Sequence, residues 1–508
     1  MTEKIKARSA WTIPGLIVIS LTAAVLRIVG AFFLQREPFG DAYCYVEQMA
    51  AYRSEVVSGK FSINYLYGFW LPLYQFFCGL ITVVVNQPVY VGKLVSALAG
   101  TGVCVLVYLC SHVLTSSQKV SLVAALAIAL NPFHLQYSSA AMTDVPHALM
   151  VIACMYSVLT ERWTLAACFG AAAGLIRLDS WMLLVIVPVI QLMRQRKIPV
   201  LTILILGIAP AFWLFICWRA TGDVLASFHA HDQYVSARLA AHPEFNSITL
   251  DRTWIDANRL AYSANIAVLA GCFAALWFLV REWRKTPRPF ATPLASPHFA
   301  VLFTALSFVF GYFSFILLAY FTKNQSDIWP RYGLIIFALG LPVLAYSAQQ
   351  LIKSPSVLAK VALGIALVAG ASQFKTQAED LKRFASTTDR SQTIANYLKQ
   401  EYAGDPSLKI FCDHTEVRVI SGIPRGQFFD SWSAPKDREL FIGYLRANGI
   451  KYLVIPQEPE TSIPSQLFPG LIKDSGNVFE DVIPAPEGQR ADSLYRVRAE
   501  SPPPLGKS

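Results

Sequence analysis

Residues 11–34 read WTIPGLIVISLTAAVLRIVGAFFL, a stretch long and apolar enough to cross a lipid bilayer as a single helix. A spanning helix needs about 20 mostly apolar residues. The stretch lacks a small-residue cleavage site after a short apolar core, so we expect a membrane anchor and not a cleaved signal peptide. It leads into FGDAYCYVEQ, residues 39–48, where Asp41 stands among aromatic and small residues. The position of this carboxylate requires an explanation.

The composition of the whole chain also indicates a membrane protein. Of its 508 residues, 54% are hydrophobic and 15% are charged, whereas soluble proteins carry about 25% charged residues. Further apolar runs occupy residues 90–112, 119–137, 144–160, 162–177, 180–193, 199–218, 262–280, 299–321, 332–350 and 356–374. We therefore predict a polytopic α-helical membrane protein with about eleven transmembrane helices.

The net charge of +10 is explained by basic cytoplasmic loops. The strongest clusters are MTEKIKARSA at the N-terminus, RQRK (194–197) and REWRKTPR (281–288), and such clusters favour the cytoplasm. We expect a multi-pass protein of the inner or plasma membrane, with a cytoplasmic N-terminus and an extracytoplasmic C-terminal region. The sequence has no basic stripe interleaved with aromatic residues, so we do not expect a nucleic-acid partner.

One further apolar run, FWLPLYQFFCGLITVVV (69–85), conflicts with this arrangement if it crosses the membrane. A crossing there would place every later basic cluster on the wrong side. Trp70, Pro72 and Tyr74 are typical of a membrane interface. We therefore predict an interfacial or re-entrant helix in this run, so that Asp41 and Asp144 lie on the same, outer face.

The composition changes after residue 375. Residues 391–402 and 437–450 have helical patterns, and short apolar strands are predicted at 407–413, 451–457 and 493–500, the last alternating like an edge strand. Helices alternating with strands favour a small α/β domain. We predict a transmembrane domain over residues 1–375 and an extracytoplasmic α/β domain over 376–508.

Two acids stand at the outer ends of predicted spans. Asp41 follows the first span, where simple solvation of a loop is the alternative explanation. Asp144 lies in HLQYSSAAMTDVPHAL (134–149), and Thr143–Asp144 before Pro146 also has the pattern of a helix N-cap. A capping role and a functional role are compatible, because a cap fixes the side chain in place.

Basic side chains accompany these acids. The segment KNQSDIWPRYGLIIFALGLP (323–342) sets Lys323, Arg331 and Tyr332 beside an outer span end. Arginine suits bidentate recognition of a phosphate, and anchoring at the interface is the alternative. In AAAGLIRLDSW, Arg177 and Asp179 are interpreted first as a structural pair of opposite charges.

The ordered motifs resemble those of the C-fold (GT-C) membrane glycosyltransferases, in particular the family 39-like group of protein O-mannosyltransferases and aminoarabinose transferases. FGDAYCYVEQMA resembles the first-loop motif, in which an acid opens a short helix, and YGFWLPLYQFF resembles the Pro-Leu-Tyr segment of the juxtamembrane helix. Three later segments match in order: NPFHLQYSSAAMTD, AAAGLIRLDS and WPRYGLIIFALGLP. The resemblance covers residues 10–345.

This resemblance implies a polyprenyl-phosphate sugar as donor and a glycan, lipid or protein as acceptor, both meeting at the membrane lipid surface. Asp41 is the candidate base that takes the acceptor proton. Arg331, helped by Lys323, is the candidate that stabilises the leaving phosphate. Asp144 would orient the acceptor or sugar, or hold Mg²⁺ or Mn²⁺ together with Asp41; no cofactor is certain. Further candidates for substrate binding are Tyr332, Glu47, Tyr43, Tyr74 and Arg177.

A transporter or lipid flippase is the alternative function. Such a protein needs ionisable residues near the middle of the membrane and repeated halves with broken helices. The runs 299–321 and 332–350 carry no charge, and no internal repeat is evident. A glycosyltransferase therefore explains the sequence better.

Overall fold

The computed structural model describes residues 13–34, 37, 40–241, 249–284, 297–322, 328–386, 390–431, 434–456, 462–468, 478–484 and 492–498. The chain divides into two compact units, Met1–Ala385 and Ser386–Ser508. The division falls later than the boundary predicted after residue 375, because the last long apolar helix continues to Ser386.

The first unit is helical throughout its described part. Its α-helices are α1 (Ile13–Phe33), α2 (Asp41–Val57), α3 (Leu73–Val84), α4 (Pro88–Thr115), α5 (Gln118–Ala129), α6 (Pro132–Ser138), α7 (Asp144–Leu159), α8 (Trp163–Gly174), α9 (Leu183–Gln195), α10 (Val200–Thr221), α11 (Ala226–Ala241), α12 (Leu250–Ala264), α13 (Ile266–Arg284), α14 (Pro297–Phe321), α15 (Gly333–Lys353) and α16 (Val357–Ser386). Short 3₁₀ turns occupy Ile63–Leu66, Leu178–Met182 and Pro330–Tyr332.

Fewer helices than predicted have the full length of a membrane span. Among the described residues, eight helices are long and apolar enough to cross a membrane, or nine if the bent pair α5–α6 counts as one span. The predicted runs 144–160 and 162–177 fall outside this count, because they form α7 and α8, which have only 16 and 12 residues. At 1.5 Å per residue a 12-residue helix is about 18 Å long, short of the bilayer core of about 30 Å. The chain is nevertheless a polytopic α-helical membrane protein.

Helix α3 also has only 12 residues, Leu73–Val84. It is too short to cross the bilayer by itself, in agreement with a non-crossing helix in the run 69–85. Its Tyr74 is buried, while Phe77 and Val84 expose 52% and 87% of their surface. One face of α3 therefore packs against the protein and the opposite face is apolar and open.

The bend between α5 and α6 has a chemical cause in the sequence. Pro132 cannot continue a helix and Asn131 caps the next one by accepting a hydrogen bond from the His134 amide at 2.7 Å. The two helices meet at 64°. The guanidinium of Arg27, fully buried in α1, donates to the carbonyls of Ile128 and Ala129 at this break. A charged side chain inside the membrane is thus used to satisfy carbonyl groups that the broken helix leaves free.

Helices α4 and α15 lie at the centre of the first unit. In the 18-residue apolar stretches of Pro88–Thr115 and Pro330–Lys353, 56% and 61% of the residues are buried. In the corresponding stretch of Val357–Lys382, 11% of the residues are buried. The centre of the unit therefore contains α4 and α15, and α16 presents apolar side chains outward, as expected of a helix that faces lipid.

The second unit is a small α/β domain. Its helices are α17 (Arg390–Gly404), α18 (Thr415–Ser421), α19 (Arg438–Ala447) and α20 (Ile463–Leu467), and its strands are β1 (Lys409–Cys412), β2 (Phe428–Phe429), β3 (Ile450–Ile455), β4 (Phe479–Ile483) and β5 (Ser493–Val497). The sheet has the order β2-β1-β3-β5-β4. The three strands β2, β1 and β3 are parallel, and β5 runs antiparallel to both β3 and β4.

The prediction that 493–500 forms an edge strand was wrong. β5 pairs with strands on both sides, and β4 occupies the edge. The alternation of the sequence is real, but Leu494 is fully buried and Tyr495 is 8% exposed. Both faces of β5 therefore contribute to the core, as is typical of an internal strand.

Candidate active site

The two predicted acids each begin a helix. α2 starts at Asp41 and α7 starts at Asp144, so both carboxylates lie in a first turn, where the helix dipole favours negative charge. The predicted helix opening at Asp41 is present. The predicted N-cap before Pro146 makes no side-chain capping bond. Instead the Thr143 hydroxyl donates to the hydroxyl of Tyr45 at 3.3 Å.

Asp41 forms an ion pair with Arg331. The guanidinium Nη1 of Arg331 donates to Oδ2 of Asp41 at 2.7 Å, although the two residues are 290 positions apart. The side chain of Asp41 is 21% exposed and that of Arg331 is 11% exposed. Charge-assisted hydrogen bonds of this length are among the stronger ones in proteins. The fold therefore joins the first-loop acid to the arginine that precedes α15.

Arg177 joins two further acids. Its Nη1 donates to Oδ1 of Asp144 at 3.2 Å and its Nε donates to Oδ2 of Asp179 at 3.1 Å. Burial alone would lower the pKa of Arg177, but the carboxylates of Asp179 and Asp144 outweigh it and raise this pKa above the usual value. Arg177 therefore stays charged. Oδ2 of Asp144 is buried without a hydrogen-bond partner among the described residues.

Tyr332 connects the two arginines. The guanidinium of Arg177 lies 5.6 Å from the centre of its ring and that of Arg331 lies 5.7 Å from it. Both distances are within the range of cation–π contact. A small cavity at this point is lined by Asp144, His147, Arg177, Asp179, Ile316, Arg331, Tyr332, Leu334 and Ile335. Charged groups and apolar side chains thus meet in one place.

A buried hydrogen-bonded cluster supports Asp179. His147 Nε2 lies 2.6 Å from the Ser180 hydroxyl and 3.3 Å from Oδ1 of Asp179. The Ser180 hydroxyl is also 2.7 Å from the hydroxyl of Tyr312. His147 and Ser180 are each 2% exposed and Tyr312 is fully buried. Sequence reasoning missed this cluster, because its members come from three helical segments with no shared motif.

The remaining predicted residues have different surroundings. The hydroxyl of Tyr74 donates to the carbonyl of Gly92 at 3.0 Å, so it belongs to the packing between α3 and α4 and is not open to a ligand. Tyr43 is buried on α2, and its hydroxyl accepts from the amide of Glu37 at 3.4 Å. Glu47 lies half-buried on α2. Lys323 lies outside the described residues.

Tyr45, which the sequence did not single out, is part of the wall beside Asp41. Its ring contacts Trp70 at 5.0 Å and Tyr74 at 6.1 Å in edge-to-face geometry. Burial, followed by the negative charge of Asp41, raises the pKa of Tyr45. The hydroxyl therefore stays neutral and serves as a fixed hydrogen-bond acceptor for Thr143.

The site does not fit a divalent cation between Asp41 and Asp144. Each of these carboxylates faces a guanidinium group, Arg331 and Arg177 respectively. Mg²⁺ prefers an oxygen-only environment with room for its waters, and two fixed positive charges oppose it. Among the described residues, no group of three His, Cys, Asp or Glu side chains gathers for a metal.

Gly333 sets how closely the Arg331–Tyr332 turn approaches α12. A Cβ at this position would clash with the Ser263 hydroxyl oxygen and would lie 2.7 Å from the backbone nitrogen of Ala264. We expect Gly333→Ala to lower the melting temperature, because overpacking costs about 1–3 kcal/mol and backbone cannot rotate away. The control is Gly364→Ala in α16, where a Cβ meets nothing within 4 Å. An equal effect of the two variants on thermal unfolding would contradict this interpretation.

Two solved structures resemble the chain over nearly its whole length. The structure of ArnT, an aminoarabinose transferase from Cupriavidus metallidurans, bound to undecaprenyl phosphate has a TM-score of 0.56 and 12% identity, covering 94% of this chain and 97% of that one. The structure of ArnT from the same organism in the apo state has a TM-score of 0.55 and 13% identity, covering 96% and 98%. No protein-family model and no curated protein sequence matches the chain.

At 12 and 13% identity, these matches show a shared fold. The observed architecture agrees with it: many apolar helices precede a small unit with a five-stranded sheet. The resemblance inferred from the motifs is thereby confirmed at the level of the fold. The chain is a polytopic membrane protein with the GT-C fold of the membrane glycosyltransferases.

Proposed function

We propose that the protein transfers a sugar from a polyprenyl-phosphate donor to a hydroxyl group of a glycan, lipid or protein at the extracytoplasmic face of the membrane. The observation that carries this proposal is the pair Asp41–Arg331, 2.7 Å apart, beside the pair Asp144–Arg177. The shared fold with ArnT, one structure of which is bound to undecaprenyl phosphate, supports a lipid-linked donor.

The charges of the site suit both halves of such a reaction. The acceptor oxygen attacks the anomeric carbon, its proton passes to Asp41, and a new C–O bond forms. The bond between the anomeric carbon and the phosphate oxygen breaks, and its electron pair leaves with the polyprenyl phosphate. Arg331 stabilises the charge that grows on this phosphate, because a fixed cation in a partly buried site needs no reorganisation.

Asp41 and an incoming phosphate draw on the same guanidinium group of Arg331. A guanidinium offers five N–H groups in a planar fork, and one of them is used by Asp41. Arrival of a phosphate at Arg331 therefore competes with this pair and releases Asp41 for the acceptor proton. Asp144, whose Oδ2 has no hydrogen-bond partner among the described residues, is placed to orient the sugar or the acceptor.

The topology follows the charge pattern. Under this proposal the protein lies in the inner or plasma membrane with a cytoplasmic N-terminus. The site opens to the opposite face, and the unit Ser386–Ser508 is extracytoplasmic. A donor whose polyprenyl chain stays in the bilayer explains why the candidate site adjoins the ends of membrane helices. The apolar side chains Ile316, Leu334 and Ile335, which line the cavity with the arginines, give the lipid end of the donor an apolar surface.

The test is a transfer assay with the full chain in lipid vesicles. Radiolabelled undecaprenyl-phosphate hexoses and pentoses are supplied with a cell-envelope extract as acceptor. We expect wild type to transfer label, and Arg331→Gln to lose about 100- to 1000-fold in kcat, the usual effect of removing one group that stabilises a developing anion. The matched control is Arg219→Gln, an exposed arginine in the last turn of α10.

Two outcomes would contradict the proposal. Equal transfer by wild type and Arg331→Gln would remove the arginine from the reaction. Absence of transfer from every donor, combined with movement of labelled lipid across the vesicle membrane, would favour a flippase instead.

A further inference from the structure

The segment that precedes Asp144 is fixed at three consecutive residues. The amide of Ala141 donates to Oε2 of Glu37 at 2.9 Å, and the carbonyl of Met142 accepts from the Ser96 hydroxyl at 3.1 Å. The hydroxyl of Thr143 donates to Tyr45 at 3.3 Å. All three residues of the segment are buried.

Two of these contacts lead to the segment that carries Asp41. Glu37 precedes Asp41 by four positions, and Tyr45 follows it by four. Glu37 also lies close to Tyr43, since its amide donates to the Tyr43 hydroxyl at 3.4 Å. The turn before α7 is therefore tied to residues on both sides of the first acid.

Glu37 is the charged member of this arrangement. Its side chain is 1% exposed, and its Oε1 lies 3.4 Å from Nζ of Lys93, whose side chain is 4% exposed. Lys93 also donates to the carbonyl of Leu34 at 2.6 Å. A buried carboxylate persists only when it is paired and hydrogen-bonded. Both conditions are met here, although neither residue contacts the cavity between the arginines.

We infer that Glu37 is a positioning residue, which fixes Asp144 relative to Asp41 through its hydrogen bond to the Ala141 amide. The inference rests on the proposed function in so far as these two acids act on one substrate. Lys93 balances the charge of Glu37. It also fixes Leu34, the residue that follows α1, by donating to its carbonyl. Displacing the Ala141 turn shifts the start of α7, and a misplacement of about 1 Å can reduce a rate by about 100-fold.

Two double variants isolate the hydrogen bond from the charge. Glu37→Gln with Lys93→Met keeps an oxygen acceptor for the Ala141 amide and removes both charges. Glu37→Leu with Lys93→Met removes the same charges and the acceptor as well. The two proteins differ only in the side chain that faces Ala141, so a general loss of the buried ion pair affects them equally.

Hydrogen exchange and kinetics then give independent readouts on the full chain in lipid. We expect the leucine variant to exchange the Ala141 amide about tenfold faster than the glutamine variant, since an amide without its acceptor opens more readily. We expect its kcat to fall about 100-fold with a donor KM within about twofold of wild type, the pattern of an interaction that acts on the transition state. The glutamine variant should retain nearly wild-type values.

Glu161→Gln is the control, since Glu161 pairs with Arg194 just beyond the opposite end of α7 and is 63% exposed. Equal exchange at Ala141 and equal kcat in the two double variants would overturn the inference. If wild type itself transfers no sugar, the proposed function fails, and the exchange measurement alone decides whether Glu37 holds the turn. If the leucine variant does not fold, Glu37→Asn with Lys93→Met replaces it with the same expectation, since asparagine is uncharged and shorter than glutamine by one methylene.

Discussion

Replacing Asp41 by asparagine is expected to strengthen the binding of a lipid phosphate and to slow sugar transfer severely. In the structure Oδ2 of Asp41 accepts a hydrogen bond from Nη1 of Arg331 at 2.7 Å. A ligand phosphate must therefore compete with a carboxylate for the same guanidinium. Asparagine has nearly the same shape but no charge, so it competes less well and cannot take the acceptor proton.

The sizes of the two effects follow from ordinary energies. A hydrogen bond to a charged group contributes about 1.5–3 kcal/mol, and a tenfold change in affinity corresponds to about 1.4 kcal/mol. We expect undecaprenyl phosphate to bind Asp41→Asn about tenfold more tightly than wild type. The gain is smaller than the full energy of the Asp41–Arg331 hydrogen bond, because asparagine still forms a weaker hydrogen bond to Arg331. We expect kcat to fall about 1000-fold, within the range for loss of a general base.

Opposite changes in binding and turnover distinguish this account from simple damage to the site. Binding is measured by titrating the protein in nanodiscs with undecaprenyl phosphate, and turnover by the transfer assay. Asp251→Asn is the matched control, because Asp251 also lies in the first turn of a helix but is exposed. Weaker binding by Asp41→Asn than by wild type would contradict competition for Arg331.

Replacing Arg177 by methionine is expected to cause the largest loss of stability. Arg177 is the shared partner of Asp144 and Asp179, whose side chains are 5% and 14% exposed. Without the guanidinium, two carboxylates with little access to water face each other. Breaking a buried pair by removing one partner costs about 3–5 kcal/mol, because the remaining charge is uncompensated.

The measurement is thermal unfolding of the full chain in detergent, with ligand-free protein. Arg194→Met is the control: Arg194 pairs with Glu161 at 3.3 Å, but Glu161 is 63% exposed and keeps its water. We expect that control to lose about 1 kcal/mol or less. A second variant, Arg177→Met with Asp179→Asn, should recover part of the loss. If Arg177→Met melts like Arg194→Met, the ion pairs of the site do not carry the stability assigned to them.

Hydropathy and helix-opening patterns predicted a large part of this fold. Apolar runs correspond to helices throughout the first unit, and the interfacial assignment of 69–85 agrees with the short helix Leu73–Val84. The number of helices of spanning length was not predicted, because hydropathy does not reveal that the runs 144–160 and 162–177 form helices of only 16 and 12 residues. Asn131–Pro132 divides one run into two helices at 64°.

The structure brings together five residues that the sequence singled out, but the sequence did not predict how they pair. Asp41, Asp144, Arg177, Arg331 and Tyr332 all lie in it. The sequence suggested that Arg177 pairs with Asp179, two positions away, but its second contact, with Asp144, is 33 positions distant. Such contacts depend on tertiary packing, which no local pattern contains. Glu37 was overlooked for the same reason, since only the folded chain brings Ala141 to it.

The central claim is that Arg331 receives the phosphate of a lipid-linked sugar and releases Asp41 when it does so. The most direct measurement is an experimental structure of the full chain with undecaprenyl phosphate in nanodiscs. We predict a phosphate oxygen within about 3 Å of the Arg331 guanidinium, with the Asp41–Arg331 distance lengthened from its present 2.7 Å. A phosphate bound elsewhere, with that pair intact, would contradict the account.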